Sequence, residues 1–157
     1  METASPDPFI VPEEASAADA ITAIGEELNV FDDWMERYQY IIELGRKLPP
    51  FPDGWANDAH RVPGCQSQVW MESTVSDGLV RFAGASDAVI VSGLVALLLR
   101  VYSGRSANEI LATDPSFLKE LGLLEALSTN RGNGIASMAR AVQRAAREVA
   151  GIVSPTS

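Results

Sequence analysis

The sequence predicts one α+β domain, a small antiparallel β-sheet packed against several α-helices. Three observations carry that expectation. Apolar residues recur at three- and four-residue spacing over most of the chain. One segment, 68–83, instead alternates apolar and polar residues around a Ser-Asp-Gly turn. The length of 157 residues suits a single core and is short for two. With 46% hydrophobic and 21% charged residues, the chain has the composition of a folded domain rather than a disordered one.

Residues 1–15 carry three prolines and no periodicity, so the expectation there is a disordered acidic tail, with the domain spanning 16–152. Ser16, with Asp19 three residues on, opens a short helix that places Ile21, Ile24 and Leu28 on one face. A second helix follows from Phe31, Trp34, Met35, Tyr38, Ile41, Ile42 and Leu48 at helical spacing. Asp32 and Asp33 suit its positive end, Arg46 and Lys47 its negative end, and Pro49-Pro50 stops it. Residues 49–64 read as an irregular loop of a length often reserved for function.

The hairpin comes next. Val69, Met71 and Ser73 alternate with Trp70 and Glu72, Ser76-Asp77-Gly78 supplies the turn, and Leu79–Ala83 returns. Ser86 is then expected to N-cap a helix with Asp87 in its first turn, running to about Ser103 and closed by Gly104. Its sequence is apolar on almost every side, which marks it as the central buried helix. Ser106 and Glu109 form a capping box for a short helix to about Thr113, and Asp114-Pro115 begins another that ends near Gly122. The last helix, from about Asn133 to Ala150, aligns Ile135, Met138, Ala139, Val142, Ala146 and Val149, with Arg140, Arg144 and Arg147 outward. Trp34 and Trp70 are read as core residues.

Charge narrows the function. The net charge is −9, and residues 1–36 hold ten acidic side chains without a Lys or Arg. Nucleic acid is a poor partner for such a chain, because phosphate neutralisation needs a basic face. An acidic start is not a secretory or transit signal, and the longest nearly apolar run, Ala88 to Leu99, is far short of the roughly 20 residues a membrane span takes. The expected location is the cytoplasm. One cysteine, Cys65, and one histidine, His60, exclude an internal disulfide and a multi-thiolate metal site, so no metal is expected.

Buried and inert is the default for a lone cytosolic cysteine. The flanks of Cys65 in VPGCQSQVW argue for display instead: Pro63 and Gly64 favour a tight turn, and Gln66 and Ser67 place polar groups beside the sulfur. A hydrolytic thiol would need a positioned base, for which His60 is the sole candidate and Asp58 its only evident orienting carboxylate. A disulfide oxidoreductase would need a second, resolving cysteine. What remains is a thiol that accepts a group and hands it on, for which a lone cysteine is an advantage.

Four stretches, DDWMERYQYIIELGRKLP (Asp32–Pro49), VPGCQSQVW (Val62–Trp70), SDAVIVSGLVALLL (Ser86–Leu99) and LSTNRGNGIASM (Leu127–Met138), together resemble the SufE/CsdE sulfur-acceptor family over roughly residues 30–150. The resemblance implies a SufE/IscU-like fold. It also implies that Cys65 takes sulfane sulfur from the persulfide of a cysteine desulfurase of the SufS or CsdA type, stimulating it, and passes the sulfur to an iron–sulfur scaffold. Pyridoxal phosphate would sit on the desulfurase, and this chain would need no cofactor. By the same resemblance Gly64, Gln66 and Ser67 belong to the transfer motif. Asp87 is tied to the sheltering and mobility of the cysteine loop, set against its plain reading as a first-turn charge. Arg131 would pair with that loop or with the partner, set against satisfying helix-end carbonyls. Ala85 departs from the family pattern, where an acidic residue often precedes the SDA triplet. A scaffold of the IscU type needs several cysteines, so this chain is not one unaided. The competing reading is a desulfurase-binding adaptor whose thiol is incidental, and the acidic tail is read as solubilising.

Overall fold

Two consecutive residues with positive φ, Asp77 (55°) and Gly78 (79°), fold the chain back on itself. Asp-Gly tolerates that conformation, whose twist matches that of the flanking strands. The computed structural model describes residues 7–62, 68–123 and 129–153, with the side chains of the last helix described over 135–151. Strands β1 (Val69–Ser76) and β2 (Leu79–Ser86) pair antiparallel from Val69↔Ser86 to Ser76↔Leu79. A two-residue β3 (Arg105–Ser106), which periodicity did not predict, adds to the other edge of β2 and gives the order β1-β2-β3.

Among the described residues six helices surround this sheet: α1 (Ala17–Asn29), α2 (Trp34–Arg46), α3 (Val89–Tyr102), α4 (Ala107–Ala112), α5 (Phe117–Glu120) and α6 (Thr129–Val153). The α+β expectation holds. Helix α3 is the hub, with Leu94, Val95, Leu97, Leu98, Leu99 and Val101 all buried. Helix α2 lies so close to it that a Cβ on Gly93 would sit 2.2 Å from the Ile41 carbonyl oxygen, and one on Gly45 would sit 2.5 Å from the Gly93 nitrogen. Glycine at both positions is what permits the approach. Ile135, Met138, Ala139, Val142 and Ala146 of α6 are buried, as their spacing predicts.

Several boundaries move. The expected cap at Ser86 is a strand residue instead: pairing with Val69 extends β2 to Ser86, and α3 starts at Val89 with Ala88 at its cap and no acid in its first turn. Ser16 and Ser106 do cap their helices, accepting from Asp19 N at 3.0 Å and Glu109 N at 3.1 Å. The Glu109 carboxylate, however, accepts from Ala17 N at 2.7 Å rather than closing its own box, tying α4 to the start of α1. Met35, placed on the apolar face, is 69% exposed, and Ile41 is the one residue of α2 that is buried. The 49–64 loop contains two short 3-10 turns, at Asp53–Trp55 and Asp58–His60.

Residues 9–14 are hydrogen-bonded to the body of the fold. Ile10 N donates to Phe82 O at 2.9 Å, and Ser103 Oγ donates to Ile10 O at 2.6 Å. Buried Arg105 donates to the Glu14 carbonyl at 2.7 Å, while Arg100 bridges the carboxylates of Glu14 (2.6 Å) and Glu27 (2.8 Å). Poorly exposed guanidinium groups require acceptors, and here the acidic N-terminal segment supplies them from 86 residues away. The Arg100 hydrogen bond holds Glu27 below the usual carboxylate range. The Tyr40 hydroxyl donates to Glu27, and burial followed by that carboxylate pushes the phenol up to about 12. No helix among the described residues is long and apolar enough to cross a membrane.

Candidate functional site

Cys65 and its neighbours Gly64, Gln66 and Ser67 lie outside the described residues; the structure shows how the two ends of their segment are held. Upstream, Val62 is 4% exposed and its N–H donates to Val69 O at 2.8 Å, while Arg61 bridges Trp70 along the outer edge of β1. Downstream, Gln68 N donates to Asp87 Oδ1 at 3.1 Å, and Gln68 O accepts from Asp87 N at 3.2 Å and from Ser86 Oγ at 2.8 Å. Val62 and Gln68, the described residues on either side of 63–67, are thus both fixed to the same end of the hairpin. The β1–β2 ladder and the link residue Asp87 hold them.

Asp87 accordingly has a different place from the first-turn position expected of it. Strand β2 runs through Ser86, so Asp87 falls in the two-residue link before α3, where its carboxylate faces the Gln68 amide rather than the helix terminus. Ser86 Oγ also accepts from Ala88 N at 3.2 Å, so the Ser-Asp pair organises both the loop stem and the helix entry. Arg131 lies in the first turns of α6, and its side chain is outside the described residues.

His60 is held by other partners than the one sequence offered. Its Nε2 lies 2.8 Å from Glu72 Oε2 and its Nδ1 lies 3.1 Å from Asn57 Oδ1, in place of the Asp58 carboxylate. Trp55 stacks on the ring at 6.0 Å. Glu72 is the residue sequence reasoning missed. The alternation of β1 puts it beside the strand edge that the arm ending at His60 runs along, a placement visible only once that arm is known to pair with β1. A cleft of about 280 Å³ opens here between β1 and α6, lined by His60, Val62, Met71, Glu72, Phe82 and Arg144 among others. Trp34 is half-buried against the core with the Arg37 guanidinium 5.0 Å over its ring, and Trp70 is half-buried. Among the described residues no group of three His, Cys, Asp or Glu side chains is placed to hold a metal ion.

Fold and site together define a small α+β protein whose single cysteine lies in sequence between two points, Val62 and Gln68, that are tied to one end of a hairpin. Residues 22–146 match the SufE family, an iron–sulfur metabolism associated domain, and the chain belongs to that family. An uncharacterized SufE-like protein of Rhizobium meliloti is 40% identical over 129 residues, covering 79% of this chain and 92% of its own. Another, from Rhizobium etli, is 39% identical over 133 residues, covering 82% of this chain and 90% of its own. The solution structure of a hypothetical protein from Thermus thermophilus has a TM-score of 0.70 at 25% identity, over 92% of this chain and the whole of that one. The family places the protein in iron–sulfur metabolism.

Proposed function

We propose that Cys65 accepts sulfane sulfur from the persulfide of a pyridoxal-phosphate cysteine desulfurase and delivers it to an iron–sulfur scaffold, in the cytoplasm. The observation that carries this reading is a sole cysteine inside a SufE-family domain. The Cys65 thiolate attacks the outer sulfur of the desulfurase persulfide. A new S–S bond forms on Cys65, the bond between that sulfur and the desulfurase cysteine breaks, and the departing thiolate takes up a proton. The sulfane sulfur changes owner without net oxidation, so no external oxidant or reductant is required. The chemistry of releasing sulfur from cysteine belongs to the partner's pyridoxal phosphate, and this chain needs no cofactor of its own.

A lone thiol suits carriage, because no neighbouring cysteine can discharge the persulfide as an internal disulfide. Stems tied at Val62 and Gln68 limit the conformational freedom lost when the segment enters a partner's active site. Removing sulfur from the desulfurase also frees it for another turnover, so acceptance and stimulation are one act. The test is desulfurase turnover with wild type and with Cys65→Ser. Stimulation by wild type alone is expected; equal stimulation by Cys65→Ser would mean a docking adaptor and overturn the acceptor reading.

A further inference from the structure

Residues 9–14 lie outside the 22–146 family match and are nonetheless hydrogen-bonded to β2, α3 and β3 through Ile10 and Glu14. From this anchored segment the Phe9 ring reaches Trp55, with centroids 5.7 Å apart. Trp55 stacks on His60 with 26° between the ring planes. His60 bonds Glu72 of β1 at 2.8 Å, so a continuous run of contacts joins the N-terminal segment to the sheet edge. His60 stands two residues before Val62, the upstream stem of the Cys65 segment.

Beyond its own turn bonds and the pairing of Arg61 and Val62 with β1, the arm that this run crosses has no packing into the core. Among residues 49–61 none is buried, so core packing does not fix them. Aromatic contacts, the His60–Glu72 bond and the Arg61–Trp70 bridge fix the approach to Val62. We infer that Phe9, Trp55, His60 and Glu72 form a clasp by which the N-terminal segment positions the 57–62 arm, and through it Cys65, for sulfur transfer. The transfer half of this inference rests on the reading of Cys65 as the acceptor. These are positioning residues: none of the four is fully buried, so substituting them leaves the core intact.

The test has two arms on the full-length protein. The first is hydrogen exchange of the 57–62 amides in the free chain. The second is the single-turnover rate at which Cys65 gains sulfur from a persulfide-loaded cysteine desulfurase at saturating concentration. Phe9→Ala and Trp55→Ala are expected to speed exchange of those amides at least fivefold and to slow transfer severalfold. Phe9→Tyr restores both, and Val11→Ala, at an exposed neighbouring position, leaves both as in wild type. Should Phe9→Ala lose its fold, Glu72→Ala opens the clasp from the strand side and is read the same way. Exchange at the wild-type rate in these variants overturns the clasp. Faster exchange with unchanged transfer overturns its role in positioning Cys65. A wild-type chain that takes no sulfur overturns the acceptor reading instead, and the exchange arm still decides whether the clasp exists.

Discussion

Asp87→Ala isolates the downstream stem of the Cys65 segment. The substitution removes the acceptor of the Gln68 N–H, a bond of 3.1 Å to a carboxylate, and leaves the Gln68 carbonyl its bonds from Ser86 Oγ and Asp87 N. Hydrogen bonds to charged groups contribute about 1.5–3 kcal/mol when sheltered, and neutral ones nearer 1. Asp87 is exposed, so solvent screening takes the loss below that charged range, to about 1 kcal/mol. That lowers the free energy of opening at Gln68 and should speed exchange of its amide roughly fivefold. Global stability should fall by less, with the melting temperature moving about 2 °C or under. Asp87→Asn keeps an acceptor oxygen and should recover most of the protection. The assay is native-state amide exchange by NMR, reading Gln68 in all three proteins. Equal exchange of Gln68 in wild type and Asp87→Ala would refute the clamp.

Other consequences follow from the packing and the charges. Gly93→Ala drives a methyl to 2.2 Å from the Ile41 carbonyl oxygen; about 3 kcal/mol of overpacking less about 1 kcal/mol of helix propensity leaves a loss near 2 kcal/mol, or roughly 4–8 °C in a thermal melt. Gly151→Ala, with nothing within 4 Å, should match or slightly exceed wild type in the same melt. Glu27 titrates below its ordinary 4.5 in the folded protein, so its contribution is present above that pH and is lost as pH falls through the folded value; Glu27→Gln should flatten this part of a denaturation series between neutral pH and the acid limb. Tyr40 and Tyr102 are both pushed up to about 12, chiefly by burial, so their contribution is complete below pH 10 and disappears as pH rises towards 12. Alkaline absorbance titration should show both phenolates forming near 12, and each Tyr→Phe variant should remove one such step.

Local signals in the sequence agree with the structure where one stretch of chain decides the outcome. Asp77-Gly78 requires a two-residue turn, Ser16 and Ser106 present their hydroxyls to the amides three residues on, and the apolar run of α3 has nowhere to go but the centre. Misreadings arose where distant residues compete for the same group. Ser86 and Asp87 look like a helix start, yet Val69 claims Ser86 for the sheet and Gln68 claims the Asp87 carboxylate. Glu109 looks like half of a capping box, yet Ala17, 92 residues away, takes its carboxylate. The N-terminal acids look like solvated charge until Arg100 and Arg105 are found poorly exposed with acceptors to find. At the candidate site, Cys65 stood out through its flanks, whereas the His60–Glu72 contact depends on the arm pairing with β1, which no periodicity encodes.

Intact-mass spectrometry after incubation with a cognate cysteine desulfurase and free cysteine tests the central claim most directly. Wild type should gain the mass of one sulfur, lose it on treatment with a reductant, and Cys65→Ser should gain none. A wild-type chain that stays unmodified beside an active desulfurase, or a Cys65→Ser chain that gains sulfur equally, would contradict the account.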